Sequence, residues 1–368
     1  MSLNRIIIAG GGTGGHIFPA IAVAKALQQM IPGIEILFVG AKGKMEMEKV
    51  PQAGYKIEGI DIAGFNRSNL FQNWKLPFQL IKSFIQVRSI FKSFRPEAVF
   101  GVGGYSTFPV LKFAQQKGIP TFLHEANSFA GKANLMLSKK ADLVMAGTHG
   151  MEKFFSPKTL VYTGNPVRRE IVESKVLREE AFEYFGLKSD KPTVLVMGGS
   201  LGARSINTAF DKHINQLIDK GIQVIWQTGK GNLAGISEHI KSRKEVCVTE
   251  FIAKMNYAYK AADIVVSRAG AIALAEITVC GKPSVLVPFP LAAEDHQTVN
   301  AQMLVNKGAA IMVKDSETDL QLVETVAALI NDEQRREQFA AASAQLGVKN
   351  ADQFIATLIV NKMKEKNA

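Results

Sequence analysis

Short aliphatic and β-branched runs alternate along the chain with longer stretches whose apolar positions recur every three or four residues. That is the rhythm of parallel strands joined by crossover helices. In the first half the strand-like runs are Arg5–Ala9, Glu35–Val39, Lys56–Ile60, Ala98–Val102, Thr121–His124 and Leu143–Ala146. In the second they are Thr193–Met197, Gln223–Gln227, Val246–Glu250, Ile264–Ser267, Ser284–Val287 and Ala310–Val313. The repeated cadence predicts an α/β protein of two similar parallel-sheet domains. Gly and Pro break the periodicity at Thr163-Gly164-Asn165-Pro166-Val167-Arg168, so the linker is expected there, dividing residues 1–165 from 166–350. No strand follows the last helical stretch, 351–368, which is expected to fold back on the first domain.

Two of the strands run into glycines and then into a helix. The first reads Ile6-Ile7-Ile8-Ala9-Gly10-Gly11-Gly12-Thr13-Gly14-Gly15-His16, and the second Val194-Leu195-Val196-Met197-Gly198-Gly199-Ser200-Leu201-Gly202-Ala203. Glycines at such a turn let backbone N–H groups approach an anion, and the positive end of the following helix stabilises it. Two such turns predict two anion sites, with a cleft between twin domains. Gly10-x-Gly12-x-x-Gly15 also fits the dinucleotide fingerprint, which expects an acidic residue about 20 positions on to hold a ribose. The second strand ends instead in Val39-Gly40-Ala41-Lys42, so the nicotinamide reading loses its other half.

Composition adds constraints. A chain of 368 residues with 47% hydrophobic content can build two cores, at about 150 residues per domain. Its 44 Lys+Arg against 33 Asp+Glu give a formal net charge of +11, which favours an anionic partner. Cys247 and Cys280 form no CxxC pair, consistent with a reducing compartment. The segment from Arg5 reads as a strand rather than a signal peptide, which predicts a cytosolic protein. No apolar run approaches the ~20 residues needed to span a bilayer, so any membrane contact is expected to be peripheral.

One segment suits such contact. Between Ile62 and Pro96 lie six basic residues, seven aromatic ones and no acidic one, a mixture matched to an anionic membrane surface. Leu80, Phe84, Val87, Phe91 and Phe94 follow helical spacing and are expected to face the core. Phe71, Trp74, Lys75, Leu76, Phe78 and Lys82 remain as the membrane-contact candidates. Metal chemistry has no sequence support: the six histidines show no HExxH spacing and no Asp-x-Asp pair occurs. Neither a cofactor nor a nucleic-acid partner is expected.

Several motifs together resemble a known family. Gly11-Gly12-Thr13-Gly14-Gly15-His16-Ile17-Phe18-Pro19, Gly103-Gly104-Tyr105, His124-Glu125-Ala126-Asn127, Gly164-Asn165-Pro166-Val167-Arg168, Gly198-Gly199-Ser200-Leu201-Gly202-Ala203 and Asp295-His296-Gln297 stand in the order seen in the MurG glycosyltransferases, and the likeness spans nearly the whole chain. The resemblance implies a GT-B fold, two Rossmann-like domains facing across a cleft. It also implies inverting transfer of N-acetylglucosamine from UDP-N-acetylglucosamine to the 4-hydroxyl of a muramyl-pentapeptide on undecaprenyl diphosphate, at the cytoplasmic face of the inner membrane. Ala126 departs from the glutamine that many members carry, which puts any contact by that side chain in doubt.

The resemblance also implies roles. The acceptor hydroxyl must lose a proton as it attacks, and the departing diphosphate must be stabilised. His16 is the candidate base and Glu125 its rival; a strand-end carboxylate is the plainer account of Glu125. Thr13, Gly14 and Gly15 would hold a diphosphate, Asn127 the donor sugar, and Ser200 a phosphate. Arg168 would fork onto the diphosphate or form a hinge ion pair. Ala271, Ile272, Ala273, Leu274 and Ala275 would line the donor pocket. Glu276 would meet the ribose, with an ion pair to Arg268 as the plainer alternative. Ile252 would read the uracil edge through its backbone, and Gln297 would bind sugar hydroxyls, with His296 left unassigned. Two alternatives stay open: another UDP-sugar enzyme of similar fold, such as a glycolipid glycosyltransferase or an epimerase, and a non-catalytic nucleotide-sugar binder.

Overall fold

The computed structural model describes residues 3–63, 74 and 76–367, the side chains of Ala293 and Asn367 excepted. The chain divides into two compact units, one comprising Met1–Val167 with Asn350–Ala368 and the other Arg168–Lys349.

The first unit is built on seven strands: β1 (Arg5–Ala9), β2 (Glu35–Ala41), β3 (Lys56–Ile60), β4 (Ala98–Gly101), β5 (Thr121–Glu125), β6 (Leu143–Ala146) and β7 (Leu160–Tyr162). All pair in parallel, in the order β3-β2-β1-β4-β5-β6-β7. Ile7 stands in register with Leu37 on one side and Val99 on the other. Successive β1 residues serve opposite faces, which is why its run is apolar throughout rather than alternating. Ile6 and Ile8 join a core with α1 (Gly14–Met30) and the C-terminal helix Ala351–Asn367, whose Ile355, Ala356, Ile359 and Met363 are buried there. Ile7 and Ala9 join the opposite core with Val87 and Phe91 of α3 (Leu76–Phe94). A shorter helix, α2 (Glu46–Gln52), follows β2.

The second unit carries β8 (Thr193–Met197), β9 (Gln223–Gln227), β10 (Val246–Thr249), β11 (Ile264–Ser267), β12 (Ser284–Leu286) and β13 (Ala310–Met312). Their order is β10-β9-β8-β11-β12-β13, again all parallel. Its core gathers Val194, Val196, Phe210 and Trp226; the Trp226 indole N–H donates to Asn207 Oδ1 at 3.2 Å.

The twelve strands expected from the hydrophobic pattern all form, with small shifts at their C-terminal ends. The thirteenth, β7, gave no signal because its three residues sit at the sheet edge, half-buried or exposed, where one apolar face is enough.

A buried histidine makes the first unit sensitive to acid. His124 on β5 is 1% exposed and its Nε2–H donates to the Gly164 carbonyl at 3.3 Å. Burial, opposed by that bond, lowers its pKa from 6.5 to about 4. The folded state therefore resists a proton that the unfolded chain accepts, so stability is complete above pH 6.5 and is lost as pH falls toward 4. The full loss is about 3 kcal/mol. We expect the urea midpoint of the first unit to drop between pH 7 and pH 5; a flat profile through that window would show that His124 takes up its proton without cost.

Candidate active site

In each sheet the order reverses next to the first strand, between β1 and β4 and between β8 and β11. Crossovers leave such a pair toward opposite faces, which opens a crevice above the strands' carboxyl ends. The glycine turns of the sequence lie there in both units.

In the second unit the crevice is open. A cavity of about 930 Å³ is lined by Gly198, Gly199, Leu201, Gly202 and Ala203 of the turn, by Ser267, Arg268, Gly270 and Ala273 after β11, and by Phe289 and Gln297. That size suits a sugar nucleotide. Gly202 fits only because it lacks a side chain: a Cβ there would lie 2.0 Å from the Thr228 carbonyl oxygen. Ser200 is exposed on the turn, and the helix Arg204–His213 begins behind it. Ala271 is the first residue of the helix Ala271–Val279, after which Ile272, Ala273, Leu274 and Ala275 follow; of these Ala273 lines the cavity. Gln297 Oε1 accepts from the Phe289 N–H at 3.0 Å. Just before it, Glu294 and Asp295 both take left-handed backbone angles, φ 54° and 50°, a conformation that costs non-glycine residues energy and is concentrated at ligand sites. His296 is half-buried at the head of the next helix.

Beside this cavity Arg168 and Glu276 form a different pair from the one expected. Arg168 Nε and Nη2 donate to the two Glu276 oxygens at 2.8 and 3.1 Å, and the Tyr259 hydroxyl donates to Glu276 Oε2 at 3.1 Å. Glu276 and Tyr259 are buried; burial and the adjacent carboxylate push the Tyr259 phenol well above its ordinary range, so it stays a donor. Arg268, the alternative partner considered for Glu276, instead binds Asp315 at 2.5 Å and the carbonyls of Val287 and Pro288. The Arg168 fork thus grips a carboxylate of its own unit rather than presenting itself for a diphosphate. The Ile252 N–H is likewise engaged, donating to Gln227 Oε1 at 2.9 Å, while Gln227 Nε2 donates to the Gly199 carbonyl at 3.3 Å. Gln227 therefore ties Ile252 to the glycine turn.

In the first unit the equivalent turn makes internal contacts at Gly11 and Gly12. The Gly11 N–H donates to the Gly103 carbonyl at 3.3 Å, and a Cβ on Gly104 would lie 2.3 Å from the Gly11 oxygen. The Gly12 N–H donates to the buried Glu46 carboxylate at 2.8 Å, so an anion already occupies the centre of this turn. Thr13 precedes α1, and Gly14 and Gly15 begin it. His16 Nδ1 lies 3.0 Å from the Gly11 oxygen and 3.4 Å from Thr13 Oγ1. A carbonyl only accepts, so Nδ1 carries the proton and Nε2 keeps its lone pair.

Glu125 is 5% exposed and is committed to its own loop. It accepts from the Asn127 and Gly131 N–H groups at 3.2 and 3.0 Å, from Asn134 Nδ2 at 2.9 Å and from Asn127 Nδ2 at 3.4 Å. Such a carboxylate organises a loop; it is poorly placed to collect a substrate proton. His16, Glu125 and Asn127 belong to the first unit, and Ser200, Ile252, Glu276 and Gln297 to the second. Sequence reasoning missed Glu46, Tyr259 and Gln227. Each acts through partners distant in sequence: Glu46 through Gly12, Tyr259 through Glu276, and Gln227 through Ile252.

The chain matches known proteins across its length. Residues 6–146 match the glycosyltransferase family 28 N-terminal domain and residues 193–355 the family's C-terminal domain. A relative from Parabacteroides distasonis, named UDP-N-acetylglucosamine–N-acetylmuramyl-(pentapeptide) pyrophosphoryl-undecaprenol N-acetylglucosamine transferase, is 47% identical over 337 residues, 91% of this chain and 92% of its own. A protein of the same name from Flavobacterium psychrophilum is 42% identical over 368 residues, 100% of both chains. Among solved structures, MurG of Acinetobacter baumannii has a TM-score of 0.76 at 30% identity, covering 98% of this chain and 99% of that one. A UDP complex of S. aureus MnaA, at 18% identity and TM-score 0.69 over 99% and 97%, shares the fold.

The Arg168–Glu276–Tyr259 cluster carries a stability test. Removing one partner of a buried ion pair leaves the other uncompensated, so Arg168→Met is expected to destabilise the second unit by about 3 kcal/mol. Tyr259→Phe, which removes one hydrogen bond, is expected to cost about 1 kcal/mol. Thermal unfolding of the variants measures both; midpoints equal to that of the parent would mean the cluster adds nothing to folding.

Proposed function

The chain belongs to the MurG glycosyltransferases of family 28, and from that membership we infer that it transfers N-acetylglucosamine from UDP-N-acetylglucosamine to a muramyl-pentapeptide on undecaprenyl diphosphate, giving lipid II and UDP in peptidoglycan synthesis. The observation that carries this reading is the 42% identity with a transferase of that name over 100% of both chains. The solved epimerases of similar fold are 12% and 15% identical, a level that speaks for the fold alone.

In this reading the second unit binds the donor. Its open crevice takes the nucleotide sugar, with the Gly198–Leu201 part of the turn, Ser200 and the start of the helix Arg204–His213 facing the diphosphate, and Gln297 and residues 271–275 facing the sugar. Glu276, held by Arg168 and Tyr259, keeps its orientation for the ribose. The first unit supplies acceptor chemistry, with Thr13, Gly14 and Gly15 at the acceptor diphosphate and Asn127 at the donor sugar. His16 Nε2 takes the proton of the acceptor 4-hydroxyl as that oxygen bonds to the anomeric carbon. The bond from that carbon to the UDP oxygen breaks on the opposite face, and its electron pair leaves with UDP.

The first unit is also the one that meets the lipid surface. Among the described residues no helix is long and apolar enough to cross a membrane. On α3, Val87 and Phe91 turn into the core, and Leu80, Phe84 and Phe94 are half-buried. Its other side presents Phe78, Ile81 and Ile85, at 68%, 62% and 65% exposure, and Trp74 before the helix is 67% exposed. The spacing of three and four residues puts Phe78, Ile81 and Ile85 in one stripe, which Arg88 and Lys92 continue as exposed cations. Lys82 is exposed and pairs with Asp61 at 3.2 Å, Leu76 is half-buried, and Ile81 and Ile85 add apolar anchors beside them. Phe71 and Lys75, also expected to contribute, lie outside the described residues. An apolar stripe ending in cations suits an anionic bilayer interface.

Incubation with UDP-N-acetylglucosamine and a short-chain analogue of the lipid acceptor should release UDP and form the disaccharide; binding of the donor without UDP release would reduce the protein to a binding module. His16→Ala should lower kcat by about two orders of magnitude or more while the donor KM stays within about threefold, and undiminished turnover would remove His16 from catalysis. Serine at Phe78, Ile81 and Ile85 together should weaken sedimentation with anionic vesicles about tenfold or more, as expected for losing well over 1 kcal/mol of apolar burial. Unchanged binding would place the membrane face elsewhere.

A further inference from the structure

Glu46 is a buried carboxylate that the transfer chemistry described above does not use. It is 1% exposed, and among the described residues no basic side chain pairs with it. Its oxygens accept from two backbone amides, Gly12 N–H at 2.8 Å and Ala41 N–H at 3.0 Å. The seat is carved by missing side chains: a Cβ on Gly11 would lie 2.3 Å from the Glu46 carboxyl carbon, and one on Gly40 would lie 2.5 Å from its Cγ. An unpaired buried carboxylate is costly to keep. Its position relative to His16 supplies a reason.

The Gly12 N–H and the Gly11 carbonyl belong to one peptide group. Glu46 draws on the N–H end at 2.8 Å, and the carbonyl end accepts from His16 Nδ1–H at 3.0 Å. A carboxylate hydrogen-bonded to a peptide N–H polarises that peptide and strengthens its oxygen as an acceptor. We propose that Glu46 is a positioning residue for His16, acting through the Gly11–Gly12 peptide group. The arrangement does what a carboxylate does when bonded directly to a catalytic imidazole: it selects the Nδ1–H tautomer, leaves Nε2 as the proton acceptor, and stabilises the imidazolium formed on proton transfer. Here one peptide group stands between the carboxylate and the ring. Proton and electron bookkeeping is that of the transfer itself: the acceptor proton ends on Nε2, Nδ1 keeps its own, and Glu46 neither gains nor loses one.

The proposal rests on His16 being the base, and the test separates the two. In labelled protein the ring nitrogen shifts of His16, assigned by their disappearance in His16→Gln, should show a protonated Nδ1 and an unprotonated Nε2 at pH 8. In Glu46→Gln one of the two backbone bonds is lost, and the tautomers should become mixed. The kcat of Glu46→Gln should fall about tenfold to a hundredfold with the donor KM within about twofold, an effect smaller than that of removing a directly bonded carboxylate. In a His16→Ala background, Glu46→Gln should cause no further loss of kcat, because the positioned group is gone. An inactive His16→Ala beside a Glu46→Gln enzyme of parental kcat would overturn the role of Glu46 alone, and so would an additive loss in the double variant. An active His16→Ala would overturn the base assignment itself. If Glu46→Gln does not fold, the tautomer in the parent protein still decides: a protonated Nε2 with a bare Nδ1 would sink the relay.

Discussion

A parallel sheet whose strand order reverses beside its first strand must leave a gap above that strand and its new neighbour, because the two crossovers depart toward opposite faces. Both sheets of this protein obey that constraint, β1 against β4 and β8 against β11. The glycine turns are consequences of it. A chain that leaves the strand at the gap and starts a helix at once needs backbone that passes close to other backbone. In both units a Cβ at the crossing would overlap main-chain atoms, as at Gly104 and Gly202.

What fills the gap differs between the units. In the second, the turn borders a cavity of about 930 Å³, and its Gly202 N–H donates within the turn to the Gly199 carbonyl. In the first, Glu46 reaches in from α2 and takes the Gly12 amide, and the adjacent turn at Gly103 closes against Gly11. One duplicated device thus serves two purposes. In the second unit the turn borders an open cavity; in the first, Glu46 holds the Gly12 amide in the turn that leads to His16. The same economy recurs around the site. Glu125 shapes the loop carrying Asn127 by accepting its backbone and side-chain N–H groups, and Glu276 is aimed by Arg168 and Tyr259. Acidic side chains here act first on the protein's own donors.

The strands were legible because a strand buried on both faces leaves an uninterrupted aliphatic run, as in Ile6-Ile7-Ile8 or Val194-Leu195-Val196. The edge strand β7 was not, since Leu160-Val161-Tyr162 is too short and too exposed to print a pattern. Among the site residues, those on the glycine turns could be named from local order, His16 and Ser200 among them. Partnerships could not. Arg168 stands 108 positions from Glu276, and in the sequence Arg268 is its nearer basic neighbour; the fold sends Arg268 to Asp315 instead. On α3, periodicity separated Val87 and Phe91 from the outer face, but the exposure of Ile81 and Ile85 emerged only in the folded chain.

By itself the sequence determined what is local and periodic: strand and helix alternation, its duplication, the two glycine turns, and the basic aromatic segment. These follow from backbone sterics and from the burial of every second or every third to fourth side chain, which act over a few residues. Only the tertiary structure decided which turn is open and which is occupied, and which carboxylate meets which cation or amide. Those outcomes depend on distances between atoms far apart in the chain, and a hydrogen bond or ion pair forms only when packing elsewhere has brought its two ends within about 3 Å.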